Sequence, residues 1–283
     1  MMKFGSTVDA FSPYGEERYK KMKQFGFLYA DLSIEGELNG RTEAEFDADI
    51  LHEKALADAA GVTIWQVHGP WRVPVHDETP ENRAERAETM RRSIRGAEMV
   101  GCRNWVIHPL MPYGTRDDFN YPSFWEINLT FFRELLPYAK AHGVTICFEN
   151  MPMTGLTIAP PAETLRFIRE IDDPDFRMCL DTGHVHVRGV NIADAIRMAG
   201  KEYLRVMHVH DNHGEKDEHL APFDETIDWK AFREALEEIG FDGVVSFEVL
   251  LGKFLPNAPM DIKIRAFRAV IDGILGETTD SIK

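Results

Sequence analysis

The stretch "AHGVTICFENMP", residues 141–152, carries the reading of the fold. A glycine closes a helical run, an apolar run opens directly behind it, and a carboxylate, Glu149, stands near the far end. Glycine is the common residue just past a helix because it accepts the left-handed backbone that satisfies the last carbonyls. The Val-, Ile- and Phe-rich run behind it reads as a strand over 145–151. The same helix–glycine–strand junction recurs at "QFGF", "AAGV", "MVGC" and "EIGF".

Outward from that unit, strands are expected at 2–8, 27–34, 63–69, 104–109, 145–151, 176–182, 206–211 and 244–249. Helical stretches fall between them at 15–25, 43–60, 81–100, 124–142, 161–171, 191–199, 229–239 and 260–275. Strands that alternate with helices imply parallel pairing through crossover helices. Eight such units in 283 residues match a closed barrel better than an open sheet. The predicted fold is therefore α/β, a single (β/α)8 TIM barrel occupying residues 1–283 as one domain. An open dinucleotide-binding sheet would call for a glycine-rich fingerprint after the first strand. That strand runs instead into "GSTVDAFSPYGEE", and neither GxGxxG nor GxxxxGK[ST] occurs.

Four apolar runs end in an ionisable residue: Glu149 in "TICFENM", Asp181 in "MCLDT", His210 in "VMHVHD" and Glu248 in "VVSFEV". Alternation along each strand puts Phe148, Met207, Val209 and Phe247 on one face. The polar residues share the other face, which in a helix-wrapped barrel points inward. By the same parity His68 goes with Gln66, and His108 with Val106. Carboxylates converging at one barrel mouth repel each other and are costly to bury, and a divalent cation removes both problems. Glu149, Asp181, His210 and Glu248 are the expected ligands. No role is assigned to His186 or to His208.

Composition narrows the function classes. A net charge of −15 argues against a nucleic-acid or anionic-membrane partner. No apolar run approaches the ~20 residues of a membrane span, and the start "MMKFGSTVDA" lacks the apolar core of a signal peptide. Cys102, Cys147 and Cys179 are widely spaced, which fits a cytoplasmic protein with buried thiols better than a disulfide framework.

The motifs "FEN" (148–150), "LDTGH" (180–184), "HVHD" (208–211), "EHLAPFDETIDW" (218–229) and "SFEV" (246–249) together resemble the xylose-isomerase-like barrels. That superfamily includes sugar isomerases, ketose 3-epimerases, inosose dehydratase and the apurinic-endonuclease type of nuclease. The resemblance implies one divalent metal on Glu149, Asp181, His210 and Glu248; the hardness of that oxygen-rich set puts Mn²⁺ first, with Mg²⁺, Co²⁺ or Zn²⁺ as alternatives. It also implies that His184 contacts substrate in the epimerases or a second metal in the nucleases, and that His68 and His108 line the substrate pocket or, in the nuclease branch, bind further zinc. That branch has an Asp-x-His pair after the strand-seven histidine. Its place is read here at Asp224 and Thr226, which lowers the nuclease expectation.

The expected activity is that of a metal-dependent sugar, sugar-phosphate or keto-sugar isomerase or epimerase in carbohydrate metabolism. Glu149 and Glu248 are the expected catalytic pair, moving a proton through a metal-stabilised cis-enediolate. The alternative is a lyase or dehydratase of a keto-polyol, of the inosose or dehydroshikimate type, with a zinc-dependent nuclease third. Trp71 and His219 are further candidates for the substrate pocket, with Phe11, Phe254 and Lys216 behind them. A small carbohydrate is the expected partner. A homo-oligomer is compatible with such a barrel, but no interface is legible.

Overall fold

The computed structural model describes residues 2–38, 40–71, 77–113, 120–153, 158–223 and 226–276. Among them eight strands form one parallel sheet: β1 (Lys3–Thr7), β2 (Tyr29–Ser33), β3 (Thr63–His68), β4 (Asn104–Ile107), β5 (Thr145–Glu149), β6 (Phe176–Asp181), β7 (Leu204–His208) and β8 (Val244–Phe247). Each strand pairs with its sequence neighbour, and β8 returns to pair with β1. The ring closes just past the end of β7. There the Val209 N–H donates to the Ser246 carbonyl at 2.8 Å and the Glu248 N–H to the Val209 carbonyl at 3.1 Å. This is the expected (β/α)8 barrel.

Local chemistry explains where the helices start and stop. Thr42 opens the helix Glu43–Ala60 as a capping box with Glu45, and Gly61 closes it at φ 67°. Asp228, in "IDW", caps Trp229–Ile239 through the Ala231 N–H, and Gly240 ends that helix at φ 65°. The expected helix at 15–25 is shorter than predicted. Residues Val8–Glu17 form a 3-10 segment containing Pro13, with a kink at Gly15, and the α-helix runs only over Arg18–Gln24. Pro13 supplies no N–H for a helical ladder, and Gly15 at φ 55° breaks the turn. A one-and-a-half-turn helix, Thr182–Val187, also follows β6 directly.

Strand parity holds. Val106, Cys147, Cys179 and Val206 form a small dry layer inside the barrel. Phe148 points outward, stacked on Phe167 at 4.9 Å and edge-on to Phe132 at 5.0 Å. Burial raises the Cys102 thiol to about 12 and raises those of Cys147 and Cys179 as well, so all three are inert packing groups. No helix among the described residues is long and apolar enough to cross a membrane.

Candidate active site

Above the dry layer the interior turns polar. Glu149 ends β5, Asp181 ends β6, His208 ends β7, and Glu248 lies one residue beyond β8. His208 Nδ1 is 2.8 Å from Glu149 Oε1 and 3.3 Å from Glu248 Oε2. His108 Nε2 and His68 Nε2 approach Glu149 Oε2 at 3.0 and 3.6 Å. Asp31, from β2, stands 3.0 Å from His208 Nε2 and accepts a 2.9 Å hydrogen bond from Gln66.

The "DTGH" motif has a mechanical reason. Asp181 caps the short helix behind it by accepting the His184 N–H at 2.7 Å, which leaves Oδ2 facing His210 Nε2 at 3.1 Å. Gly183 must be glycine: a Cβ there would sit 1.9 Å from the His210 ring. Asn150, next to Glu149, accepts the Asp181 N–H at 2.9 Å, and its carbonyl accepts from His184 Nδ1 at 2.7 Å. These bonds lock the ends of β5 and β6 together.

Asp217, in the loop after β7, reaches back into the mouth. Its Oδ2 lies 3.2 Å from both His184 Nε2 and His219 Nε2, and its Oδ1 lies 3.4 Å from His210 Nε2. Of the loop candidates His219 and Lys216, His219 turns to the mouth with Asp217, and Lys216 stays exposed. The structure also relocates the Asp-x-His pair. Asp217 and His219 have that spacing and meet at the site. Asp224 lies outside the described residues, and Thr226 faces His186 Nε2 at 3.2 Å.

The expected ligands Glu149, Asp181 and Glu248 gather around His208, whereas His210 lies on the far side of Asp181 among Asp217, His184 and His219. His208 was legible as an inward residue, because it shares the parity of His210. His68, His108, His184, His219 and Trp71 all line one cavity of about 320 Å³ together with Glu149 and Glu248. Trp71 packs edge-on against His108 at 4.6 Å. Phe11 is instead buried against Phe27, and Phe254 packs on Phe267. Sequence reasoning missed Asp9, Asp31 and Glu35 on the cavity wall.

Electrostatics here are dominated by paired opposites. Burial alone would raise the Glu149 carboxyl, but the neighbouring His208 and His108 hold it well below the usual range. Asp181 is likewise lowered, by His184 and His210 against its burial. Burial would lower His184, yet Asp181 and Asp217 bring it to about 10. His108 is the exception: burial outweighs Glu149 and lowers it to about 4, leaving a neutral imidazole.

The donors suit a cation. One donor atom from each of His68, His108 and Glu149 lies within 4.8 Å of the others, and the same holds for Asp181, His208 and Glu248 and for His210, Asp217 and His219. Glu149 Oε2 and His208 Nε2 are buried without an aligned hydrogen bond, despite their close neighbours. Buried carboxylate and imidazole atoms left without an aligned partner in such a cluster are donors that a cation would satisfy.

Over residues 19–269 the chain matches the xylose isomerase-like TIM barrel family. It belongs to that family. An uncharacterized protein of Methanocaldococcus jannaschii is 30% identical over 257 residues, covering 87% of this chain and 83% of that protein. The D-psicose 3-epimerase of Ruminiclostridium cellulolyticum is 27% identical over 209 residues, covering 71% and 68%. Among solved structures, a D-tagatose 3-epimerase-like protein superposes with a TM-score of 0.78 at 24% identity, covering 98% of this chain and 99% of that one. The last likeness concerns the fold.

Proposed function

We propose that this family member is a metal-dependent epimerase or isomerase of a small carbohydrate. One observation carries the reading: Glu149 and Glu248, from strands separated by β6 and β7, converge on His208 Nδ1 at 2.8 and 3.3 Å and line the same cavity. Glu149, Asp181, His208 and Glu248 would hold one divalent cation, Mn²⁺ first and Mg²⁺, Co²⁺ or Zn²⁺ as alternatives. When bound, the cation supplies Lewis-acid polarisation of a sugar carbonyl and its neighbouring hydroxyl.

The residues do the proton work. One glutamate takes the proton on the carbon next to the carbonyl, and the other returns a proton. Return to the opposite face of the same carbon gives an epimer; return to the adjacent carbon gives an aldose–ketose isomer. His68 and His108 line the wall where sugar hydroxyls would sit, and Trp71 offers an apolar face to the ring. The D-psicose 3-epimerase relative supports a ketose as the substrate class.

A second reading is a multinuclear centre of the nuclease branch. The Asp217–His219 pair beside His184, and the His68–His108 pair on Glu149, are the donors it requires. Against it stand the net charge of −15 and a cavity lined by no lysine or arginine among the described residues.

Elemental analysis of protein purified without chelator, followed by deuterium exchange from D₂O into ketoses, tests both readings. About one metal per chain with sugar exchange supports the epimerase or isomerase. About three zinc ions and cleavage of abasic DNA would replace it with the nuclease.

A further inference from the structure

The cavity does not end at the glutamates. A second groove of about 440 Å³ opens from it, with Thr7, Asp9, His219 and Glu248 as shared wall. Its far side is largely apolar, built from Ala10, Pro13, Leu250, Leu251 and Met260. Leu250 is 50% exposed there, an uncovered apolar side chain next to the site.

The groove is firmly built. The buried Lys263 ammonium donates to the Leu251 and Gly252 carbonyls at 3.1 and 3.2 Å. The Leu250 N–H donates to the His219 carbonyl at 2.9 Å, and Lys253 Nζ to the Glu218 carbonyl at 2.7 Å. The loops after β7 and β8 are thereby tied together, and His219, at φ 52°, is held where the two spaces join.

The first cavity sets carboxylates against the imidazoles of His68, His108, His184 and His219. Asp9, Asp31, Glu35, Glu149, Asp217 and Glu248 line it, and no lysine or arginine does among the described residues. Asp9 and Glu35 belong to none of the metal-donor groups and suit sugar hydroxyls, which donate to carboxylates; a phosphate would be repelled by them.

We propose that the substrate is an unphosphorylated keto-sugar bearing a neutral glycosidic substituent, its ketone on a carbon other than the glycosidic one, the sugar seated beside Glu149, Glu248 and Trp71 and the substituent lying in the groove of Leu250, Leu251 and Met260. This rests on the sugar epimerase or isomerase reading and names its substrate class. The glycosidic bond itself is untouched.

The test is deuterium uptake from D₂O by three probes with the metal-loaded protein: a free hexose carrying a ring ketone at C3, its phosphate ester, and its phenyl glycoside, in which the ketone stays separate from the glycosidic carbon. The phenyl glycoside should exceed the free sugar in kcat/KM by about tenfold, with the phosphate ester poorest. Gly252→Trp, whose new side chain starts in open space, should cut that preference by about tenfold. Equal rates on free and substituted sugar, preference for the phosphate ester, or an unchanged preference in Gly252→Trp would overturn the proposal. Exchange with none of the three would overturn the sugar-enzyme reading beneath it.

Discussion

His208 and Glu149, 59 residues apart in the chain, meet inside the barrel with Nδ1 2.8 Å from Oε1. His210, two residues further on, does not share that contact; its Nε2 faces Asp181 and Asp217. The pair of histidines therefore separates into two jobs. In His208→Asn the affinity for a divalent metal should fall by at least about 100-fold if, as proposed, His208 is a ligand. His210→Asn should weaken it by no more than about tenfold. Chelator competition measures both, and the reverse order would return the ligand role to His210.

Glu248 is 27% exposed in its side chain, whereas Glu149 is nearly fully buried. The accessible carboxylate is the better placed for proton exchange with a substrate. Glu248→Gln should reduce deuterium uptake by about 10²–10⁴-fold, the usual loss when a general acid or base is removed. Uptake at the wild-type rate would mean that Glu248 transfers no proton.

The histidines of the mouth give the metal-free protein a pH signature. Burial would lower His184 and His219, but Asp181, Asp217 and Glu248 raise them to about 10 and about 9. The unfolded chain releases these protons near 6.5, so above that pH the folded state binds more protons than the unfolded state. Their contribution is complete below 6.5 and is lost as pH rises toward 9 and 10. The Tm of chelator-treated protein should fall across that window. Metal-loaded protein should show a shallower slope, since ligands must be deprotonated to bind. A chelator-treated Tm that climbs with pH would contradict the charge pairing.

Gly183 offers a test of packing alone. A methyl group there collides with the His210 ring, and Gly183 is buried in the short helix after β6. Gly183→Ala should destabilise the fold by about 1–3 kcal/mol, the usual cost of overpacking. Urea unfolding measures it. A neutral effect would show that His210 moves freely.

The barrel was legible in residues 141–152 because its signals are local. Gly143 stops a helix, alternation along β5 sends Cys147 and Glu149 one way and Phe148 the other, and eight such units specify the ring. The inward carboxylates at 149, 181 and 248 follow from the same parity. Asp217 was not legible in this way, because its loop has no periodicity; the meaning of "KDEH" depends on where the chain folds back over β6 and β7.

The sequence by itself determined the architecture and the identity of the polar strand ends, since strand parity and helix caps act between neighbours in the chain. It named His210 rather than His208 as the ligand, although strand parity gives both the inward face. Only the closed ring separates them. Residues two apart on a strand differ by roughly 6.5 Å along its axis. Pairing of Val209 with Phe247 then sets His208 level with the glutamates and carries His210 past them, over Gly183.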